Sequence, residues 1–126
     1  MRPFLHRWGP ALLWAAAVFA VSSRPTLPHL PSVLGWDKLQ HCAAYAVGGA
    51  LIARALGAGP RQALLAALLG SLYGVSDEVH QLFVPNRSSD VVDWAADTLG
   101  VLAGVGLWHF YHHLHPARPR VAPTER

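Results

Sequence analysis

The sequence predicts an all-α fold, an integral membrane bundle of four transmembrane helices, and three observations support that prediction. Hydrophobic residues make up 52% of the 126 residues and charged residues only 13%, whereas a soluble domain carries about 25% charged residues. Four apolar stretches follow one another, separated by segments that contain proline, glycine or both. Lysine and arginine lie mainly at the ends of those stretches, where membrane topology places them.

Each apolar stretch is interpreted as one helix, at about residues 8–23, 37–56, 61–81 and 90–110. A membrane-spanning helix needs about 20 residues, with a range of about 17–25. The last three stretches have that length, and the first reaches it only if Phe4 and Leu5 are included. Residues 1–114 are therefore predicted to form one membrane domain. Residues 115–126, rich in proline and arginine, are predicted to form a disordered basic tail.

The joins between the helices carry turn-forming residues. The segment SSRPTLPHLPSVLGW at residues 22–36 predicts an irregular loop, and GAGPRQ at residues 57–62 predicts a tight turn with Pro60 at the start of helix three. The segment VPNRSSD at residues 84–90 joins helices three and four. The first 23 residues also have the basic start, apolar middle and small residues of a secretory signal peptide. Because three further apolar stretches follow, we expect the first 23 residues to be retained, with helix one among them.

Charge counting predicts the orientation of this bundle. The two termini and the second loop share one side and carry seven basic residues: Arg2, Arg7, Arg54, Arg61, Arg118, Arg120 and Arg126. The other side carries three, Arg24, Lys38 and Arg87. The positive-inside rule then places both termini in the cytoplasm. Six of the seven acidic residues fall on or near the outer face: Asp37, Asp77, Glu78, Asp90, Asp93 and Asp97.

Composition also excludes several function classes. The formal net charge of +3 does not come from a basic stripe with interleaved aromatics, so nucleic acid is not an expected partner. The single cysteine, Cys42, excludes an intramolecular disulfide and a cysteine-based zinc cluster. The run HFYHHLH at residues 109–115 lies at a helix end, where adventitious metal binding is expected rather than a dedicated site. The sequence assigns no metal site and identifies no cofactor.

Polar residues recur at helical spacing on three of the four predicted helices. The three sets are Asp37, His41 and Tyr45 on helix two; Gly70, Gly74, Asp77 and Gln81 on helix three; and Asp93, Asp97, Gly100 and Gly104 on helix four. On helices three and four the carboxylates thus share a face with the glycines. Because glycine faces pack against protein rather than lipid, we expect these carboxylates to point into the bundle.

Each polar residue also has a structural explanation. Asp37 and Asp90 can cap helices two and four, His41 and Asp97 can form ordinary buried pairs, and Arg87 can be a loop cation or can bind phosphate or carboxylate. Capping does not explain Asp77 and Glu78, because they lie near a helix C-terminus, where the macrodipole disfavours negative charge. We expect them to pair with Lys38, Arg87, His41 or His80. No catalytic residue is assigned, and the predicted ligand-binding residues are Asp37, His41, Tyr45, Asp77, Glu78, Gln81, Arg87, Asp93 and Asp97.

The sequence resembles the VanZ-like family of bacterial membrane proteins over about residues 8–110. The segments that carry the resemblance are FAVSSRP, DKLQHCAAY, YGVSDEVHQLFVPNRSSDVVDWAADTLG and GVLAG. The chain differs at Asp97, a position that is often asparagine in the family. The resemblance implies a multi-pass protein of the bacterial cytoplasmic (inner) membrane. The family's namesake is linked to low-level resistance to teicoplanin, a lipid-tailed glycopeptide.

Three functions are consistent with these sequence features. The first is a non-catalytic cell-envelope protein whose outward-facing polar pocket binds a lipid-linked cell-wall precursor or a lipoglycopeptide, with membrane lipids as its other partners. The second is a membrane enzyme acting on lipid headgroups or lipid-linked phosphates, in which carboxylates with His41 or His80 hold a divalent metal or act as general acid and base. The third is a proton- or ion-coupled carrier, which the crowding of charge at one end disfavours.

Overall fold

The computed structural model describes residues 2–25 and 35–116. Within those ranges the chain forms four helices and no strand, which confirms the all-α prediction. The helices are α1 (Arg2–Ser22), α2 (Trp36–Leu56), α3 (Pro60–Gln81) and α4 (Val91–Leu114). Most of the predicted first loop and nearly all of the predicted C-terminal tail lie outside the described residues.

Two helix boundaries differ from the sequence prediction by more than one residue. Helix α1 begins at Arg2 rather than at Trp8, and it contains Pro10. Proline has no N–H to bond the carbonyl four residues earlier, and in this chain that carbonyl, on His6, accepts from the Arg54 guanidinium of α2 at 3.4 Å. Helix α4 continues to Leu114 rather than residue 110, because no helix-breaking residue follows until Pro116.

The turns use residues suited to their backbone angles. Gly57 and Gly59 have φ of 95° and 135°, values that side-chain-bearing residues rarely adopt, and Pro60 follows as the first residue of α3. Between α3 and α4 the chain turns at Asn86 (φ 61°), and Asp90 caps α4 by accepting from the Val92 N–H at 2.8 Å. The predicted turn at Pro60 and the predicted cap at Asp90 are both present.

Helices α2 and α4 run parallel and share the most extensive contact in the bundle. Three glycines make the close approach possible. A methyl group at Gly49 would meet the Val101 backbone, one at Gly100 would meet the Cys42 carbonyl, and one at Gly104 would meet the Ala46 carbonyl. The GVLAG segment therefore forms the small-residue helix contact that its sequence predicts.

Helices α1 and α3 pack on this pair in the opposite direction. In α3, Gly70 lies against the Val101 side chain and Gly74 against Asp97. Helix α1 is held by Trp14, whose indole N–H donates to the Ala44 carbonyl at 2.9 Å, and by the Tyr73 hydroxyl, which donates to the Ala15 carbonyl at 2.5 Å. The result is an up-down-up-down bundle, with the start of α1 and the end of α4 at the same end.

The outer faces of the helices are apolar. Exposed large hydrophobic side chains occur on every helix, among them Leu13, Val47, Leu64 and Leu107. Two helices in the described part of the chain, Pro3–Ser22 and Val91–Leu114, are long and apolar enough to cross a membrane. Helices α2 and α3 have span length but carry more polar residues, and their acidic residues lie at one end of the bundle.

Candidate functional site

The ionisable side chains gather at the end of the bundle where α1 and α3 finish and α2 and α4 begin. The up-down arrangement explains this, because the acids of α2 and α4 lie at the cap or within the first two turns of those helices and those of α3 lie in its last turns. We call this region the polar end. It contains an outer group around Lys38 and an inner group around Asp97.

The outer group is an ion-pair network centred on Lys38, the chain's single lysine. The Lys38 ammonium lies 3.2 Å from Asp37 and 3.0 Å from Asp90, and it also bonds Asp93. Asp90 accepts from the Val92 N–H as well, and these two partners hold the pKa of the Asp90 carboxyl below its usual range. The network ties the beginning of α2 to the beginning of α4.

The inner group is built on Asp97, which is fully buried. The His41 ring bonds it through Nδ1, 2.9 Å from Asp97 Oδ1, and with a carboxylate acceptor this nitrogen is the donor. The other oxygen, Asp97 Oδ2, is buried without a hydrogen-bond partner among the described residues. A buried polar atom without a partner costs free energy, so this oxygen calls for a physical explanation.

Two α3 carboxylates complete the inner group. Asp77 accepts from the Tyr45 hydroxyl at 3.3 Å and from the Gln81 amide at 3.5 Å. Glu78 accepts from the Asp90 backbone N–H at 2.8 Å, and its Oε1 is buried with no partner in the described chain. The expectation that Asp77 and Glu78 pair with cations is therefore wrong for the described residues. Lys38 is held by the outer acids and His41 by Asp97, so neutral donors serve instead.

Three residues of the inner group stand close enough to share an ion. His41, Glu78 and Asp97 each offer one ligand atom, and these atoms lie within 4.8 Å of one another. His80, which sequence reasoning treated as equivalent to His41, lies instead against α1. There its Nε2 is 2.9 Å from the Ser23 hydroxyl and its ring stacks on Phe19.

A partly open cavity of about 390 Å³ lies beside the inner group, between α1 and α2. Its polar side chains include His41, Tyr45, Asp77 and Arg87, and its apolar wall includes Trp14. Arg87 forms no ion pair with any described residue. The remaining lining residues are Ala17, Val18, Val21, Ser22, Gln40, Ala44 and Val47.

The structure sorts the predicted site residues into three sets. Six lie in the inner group: His41, Tyr45, Asp77, Glu78, Gln81 and Asp97. Arg87 lines the cavity, whereas Asp37 and Asp93 belong to the outer network. Sequence reasoning missed Lys38 as the centre of that network and Trp14 as a cavity wall. The chain's single lysine, next to Asp37 and with two more acids at the start of α4, was an available signal for Lys38. No pattern within α1 singled out Trp14.

These features define a class of protein: a small four-helix bundle with glycine-packed helices, apolar outer faces and a buried cluster of ionisable side chains at one end. The sequence model of the VanZ/LLP1 family matches residues 8–112, so the chain belongs to that family. No curated protein and no solved structure matches the chain.

Proposed function

We propose that this VanZ/LLP1 protein is a multi-pass protein of the bacterial cytoplasmic membrane that binds a lipid-linked or lipidated molecule at its polar end. In this proposal the polar end faces the outside of the cell. Occupancy of the site lowers susceptibility to lipid-tailed glycopeptides such as teicoplanin, by holding either the drug or a lipid-linked precursor of the cell wall.

The apolar outer surface supports the membrane location. Side chains such as Leu13 and Leu107 are 73% and 67% exposed, and comparable residues lie on all four helices. Contiguous exposed apolar surface marks contact with a membrane or a partner. Two helices have the length and composition of a membrane span. The other two helices pack against them, so the polar groups of the bundle would be enclosed by protein rather than exposed to lipid.

The distribution of basic residues supports the orientation. Of the chain's ten basic residues, seven belong to the two terminal segments and the α2–α3 turn with its flanking helix ends, and three, Arg24, Lys38 and Arg87, belong to the segments at the polar end. Cytoplasmic segments are enriched in lysine and arginine, and acidic residues contribute little to this rule. The same rule predicts that both termini lie in the cytoplasm. The fold supports this proposal only in that α1 starts at the end of the bundle where α4 finishes.

The cavity carries the binding proposal. It joins an apolar wall from α1 to polar side chains that include a carboxylate, a phenol and a guanidinium. An amphipathic ligand fits such a boundary, with its acyl or prenyl chain along Trp14 and its headgroup near Arg87. Arginine binds phosphate and carboxylate bidentately, and Arg87 has no competing ion pair in the described chain.

Lipid binding is tested by native mass spectrometry on protein released from detergent, with a polyprenyl phosphate, phosphatidylglycerol and teicoplanin as probes. We expect one of them to bind with 1:1 stoichiometry, and Arg87→Gln to weaken that binding at least about tenfold, the order expected when a charge-assisted hydrogen bond is lost. Arg24→Gln is the matched control, because Arg24 is exposed and does not line the cavity. Equal binding by both variants would refute the assignment of the headgroup site.

The resistance claim needs a separate measurement in cells. A host expressing the wild-type chain should tolerate more teicoplanin than a host expressing Asp77→Asn at the same membrane level. Tolerance of a glycopeptide without a lipid tail should not change. Equal protection against both drugs would mean that the lipid tail is not what the site recognises.

The second candidate function is a membrane enzyme acting on lipid-linked phosphates or lipid headgroups. The observation that favours it is the His41–Asp97 pair, since a histidine held by a carboxylate beside an open cavity can serve as general base. It requires a released product when the purified protein is incubated with the same lipids. It also requires that His41→Gln abolish that product while lipid binding persists.

A further inference from the structure

We propose that His41, Glu78 and Asp97 form a binding site for one divalent first-row transition-metal ion, such as Zn²⁺ or Mn²⁺. This inference does not depend on the lipid-binding function. It concerns the inner group alone, and an ion there would bind whether or not the cavity holds a lipid.

The ligand set comes from three different helices. His41 projects from α2, Glu78 from α3 and Asp97 from α4, and one ligand atom of each lies within 4.8 Å of the others. Ligands bound to one tetrahedral ion at about 2.0–2.2 Å stand about 3.3–3.6 Å apart, so side-chain movements of about an ångström close the site. One imidazole with two carboxylates is a donor set suited to zinc and manganese.

The two unpartnered carboxylate oxygens are the independent sign of a ligand. Glu78 and Asp97 are 5% and 0% exposed, and Glu78 Oε1 and Asp97 Oδ2 have no hydrogen-bond partner among the described residues. The other oxygen of each residue is bonded, to the Asp90 N–H and to His41. Glu78 is thus held in place through one oxygen, with its second oxygen buried and available to a cation. Asp97 Oδ2 is likewise buried and available, and coordination of His41 Nδ1 to the ion would displace the proton that this nitrogen donates to Oδ1.

The negative charge of the inner group also favours a bound cation. Asp77, Glu78 and Asp97 are all buried, and His41 is the one basic side chain in the described ranges that pairs with any of them. Buried charges are paired or coordinate metals. The competing explanation is a proton shared between Glu78 and Asp97, which would neutralise one negative charge and would need no metal.

The test uses the full chain in detergent with a non-histidine affinity tag. His112, His113 and His115 are changed to Gln so that the exposed histidines of the α4 end do not contribute. Calorimetric titration with Zn²⁺ and with Mn²⁺ should give one saturable site per chain for at least one of the two ions. Saturable binding by neither ion overturns the proposal in favour of the shared proton.

Two substitutions then locate the site in this background. Glu78→Gln and Asp97→Asn should each weaken the ion's binding by at least about 100-fold, because losing even an outer-shell partner of a metal costs about 10–100-fold. Asp90→Asn is the matched control, because Asp90 lies in the outer network. The hydrogen bond from the backbone N–H of residue 90 to Glu78 is retained in this variant. Unchanged affinity in Glu78→Gln and Asp97→Asn would overturn the assignment.

A spectroscopic measurement on the same background protein covers the case in which a variant does not fold. Electron spin-echo modulation of bound Mn²⁺ should show one coordinated imidazole nitrogen. A spectrum without nitrogen coupling would exclude His41 as a ligand and overturn the proposal. Because every probe here is the metal alone, failure of this test leaves the lipid-binding proposal standing, and failure of the lipid experiments leaves this one standing.

Discussion

At the scale of single residues, Asp97 is the fully buried carboxylate of the bundle, and His41 is the one hydrogen-bond donor to it among the described residues. Its burial follows from its position in α4, facing Gly74 of α3, where an added methyl group would lie only 3.3–3.4 Å from the Asp97 Cβ and Oδ2. The glycine admits a carboxylate to the helix interface, and the histidine compensates part of the cost of placing it there.

Removing one member of the His41–Asp97 pair should lower the free energy of unfolding more than removing both members. His41→Ala leaves Asp97 buried without its partner, and breaking a buried pair in this way costs about 3–5 kcal/mol. We expect the lower end of that range, because the His41 side chain is 19% exposed and the cavity can admit water. Adding Asp97→Asn should recover part of the loss.

The wild type, the two single variants and the double variant form a double-mutant cycle. The free energy of unfolding of each is measured in detergent, with a chelator present so that no metal contributes. Asp97→Asn alone, which keeps the shape of the side chain, completes the cycle. If the double variant is less stable than His41→Ala, the pair does not hold the bundle together as described.

Asp90 gives a prediction about pH. Its pKa is lowered from the ordinary value of 3.8, so its contribution to stability is fully present above that value. The contribution is lost as the pH falls through the lower pKa of the folded state. Asp90→Asn keeps a good N-cap but removes the charge that meets Lys38.

The measurement is the thermal midpoint, followed by tryptophan fluorescence between about pH 2 and pH 6, the range in which carboxylates titrate. The wild type should be more stable than Asp90→Asn at pH 6, and the difference should shrink as the pH falls below about 4. Other carboxylates titrate in the same range, so the difference between the two proteins is the quantity to compare. A difference that stays constant with pH would contradict the role assigned to the Asp90 charge.

At the scale of helices, the contact between α2 and α4 depends on glycine. Gly104→Ala places a methyl group against the Ala46 carbonyl, and forcing extra volume into a packed interface costs about 1–3 kcal/mol. Gly106→Ala on the same helix is the matched control, because its added methyl group meets nothing within 4 Å. It should leave stability unchanged or raise it, since alanine favours the helix over glycine by about 1 kcal/mol. Equal thermal midpoints for the two variants would contradict the parallel glycine contact.

Helix-level features within one segment could be predicted from the sequence. The glycine and carboxylate faces of α3 and α4, the Pro60 start and the Asp90 cap each depend on spacing along a single helix, and the structure contains all of them. The predicted start of α1 at about residue 8 was wrong, because the helix extends back to Arg2 although Pro10 has no N–H for the His6 carbonyl. The Arg54 contact that satisfies the His6 carbonyl comes from another helix and is invisible in the α1 sequence.

Pairing between helices could not be predicted. Whether His41 meets Asp97 or Asp77 depends on how far α2 is rotated about its axis and offset along α4, and neither quantity is encoded in the spacing of Asp37, His41 and Tyr45. The approach of Gly100 to the Cys42 carbonyl sets that rotation and offset. The composition of the site was therefore foreseeable, whereas its division into an outer lysine network and an inner carboxylate group was not.

At the scale of the whole molecule, all features converge on one arrangement. Apolar side chains cover the outside of the bundle, and the six described carboxylates lie at or near one end, together with Arg24, Lys38 and Arg87. Arg7, Arg54 and Arg61 lie at the other end. In a membrane this arrangement gives the protein a direction. The cavity and the inner group then face one aqueous compartment, and the proposed ligand and ion both enter from that side.

Cysteine labelling in intact cells tests that direction most directly. Ser88→Cys in the α3–α4 turn and Ala58→Cys in the α2–α3 turn are both exposed and lie at opposite ends of the bundle. Each is made with Cys42→Ala, so that one thiol remains. A membrane-impermeant maleimide should label Ser88→Cys in intact cells and Ala58→Cys only after permeabilisation. Labelling of Ala58→Cys but not Ser88→Cys in intact cells would show the polar end in the cytoplasm and would contradict the account.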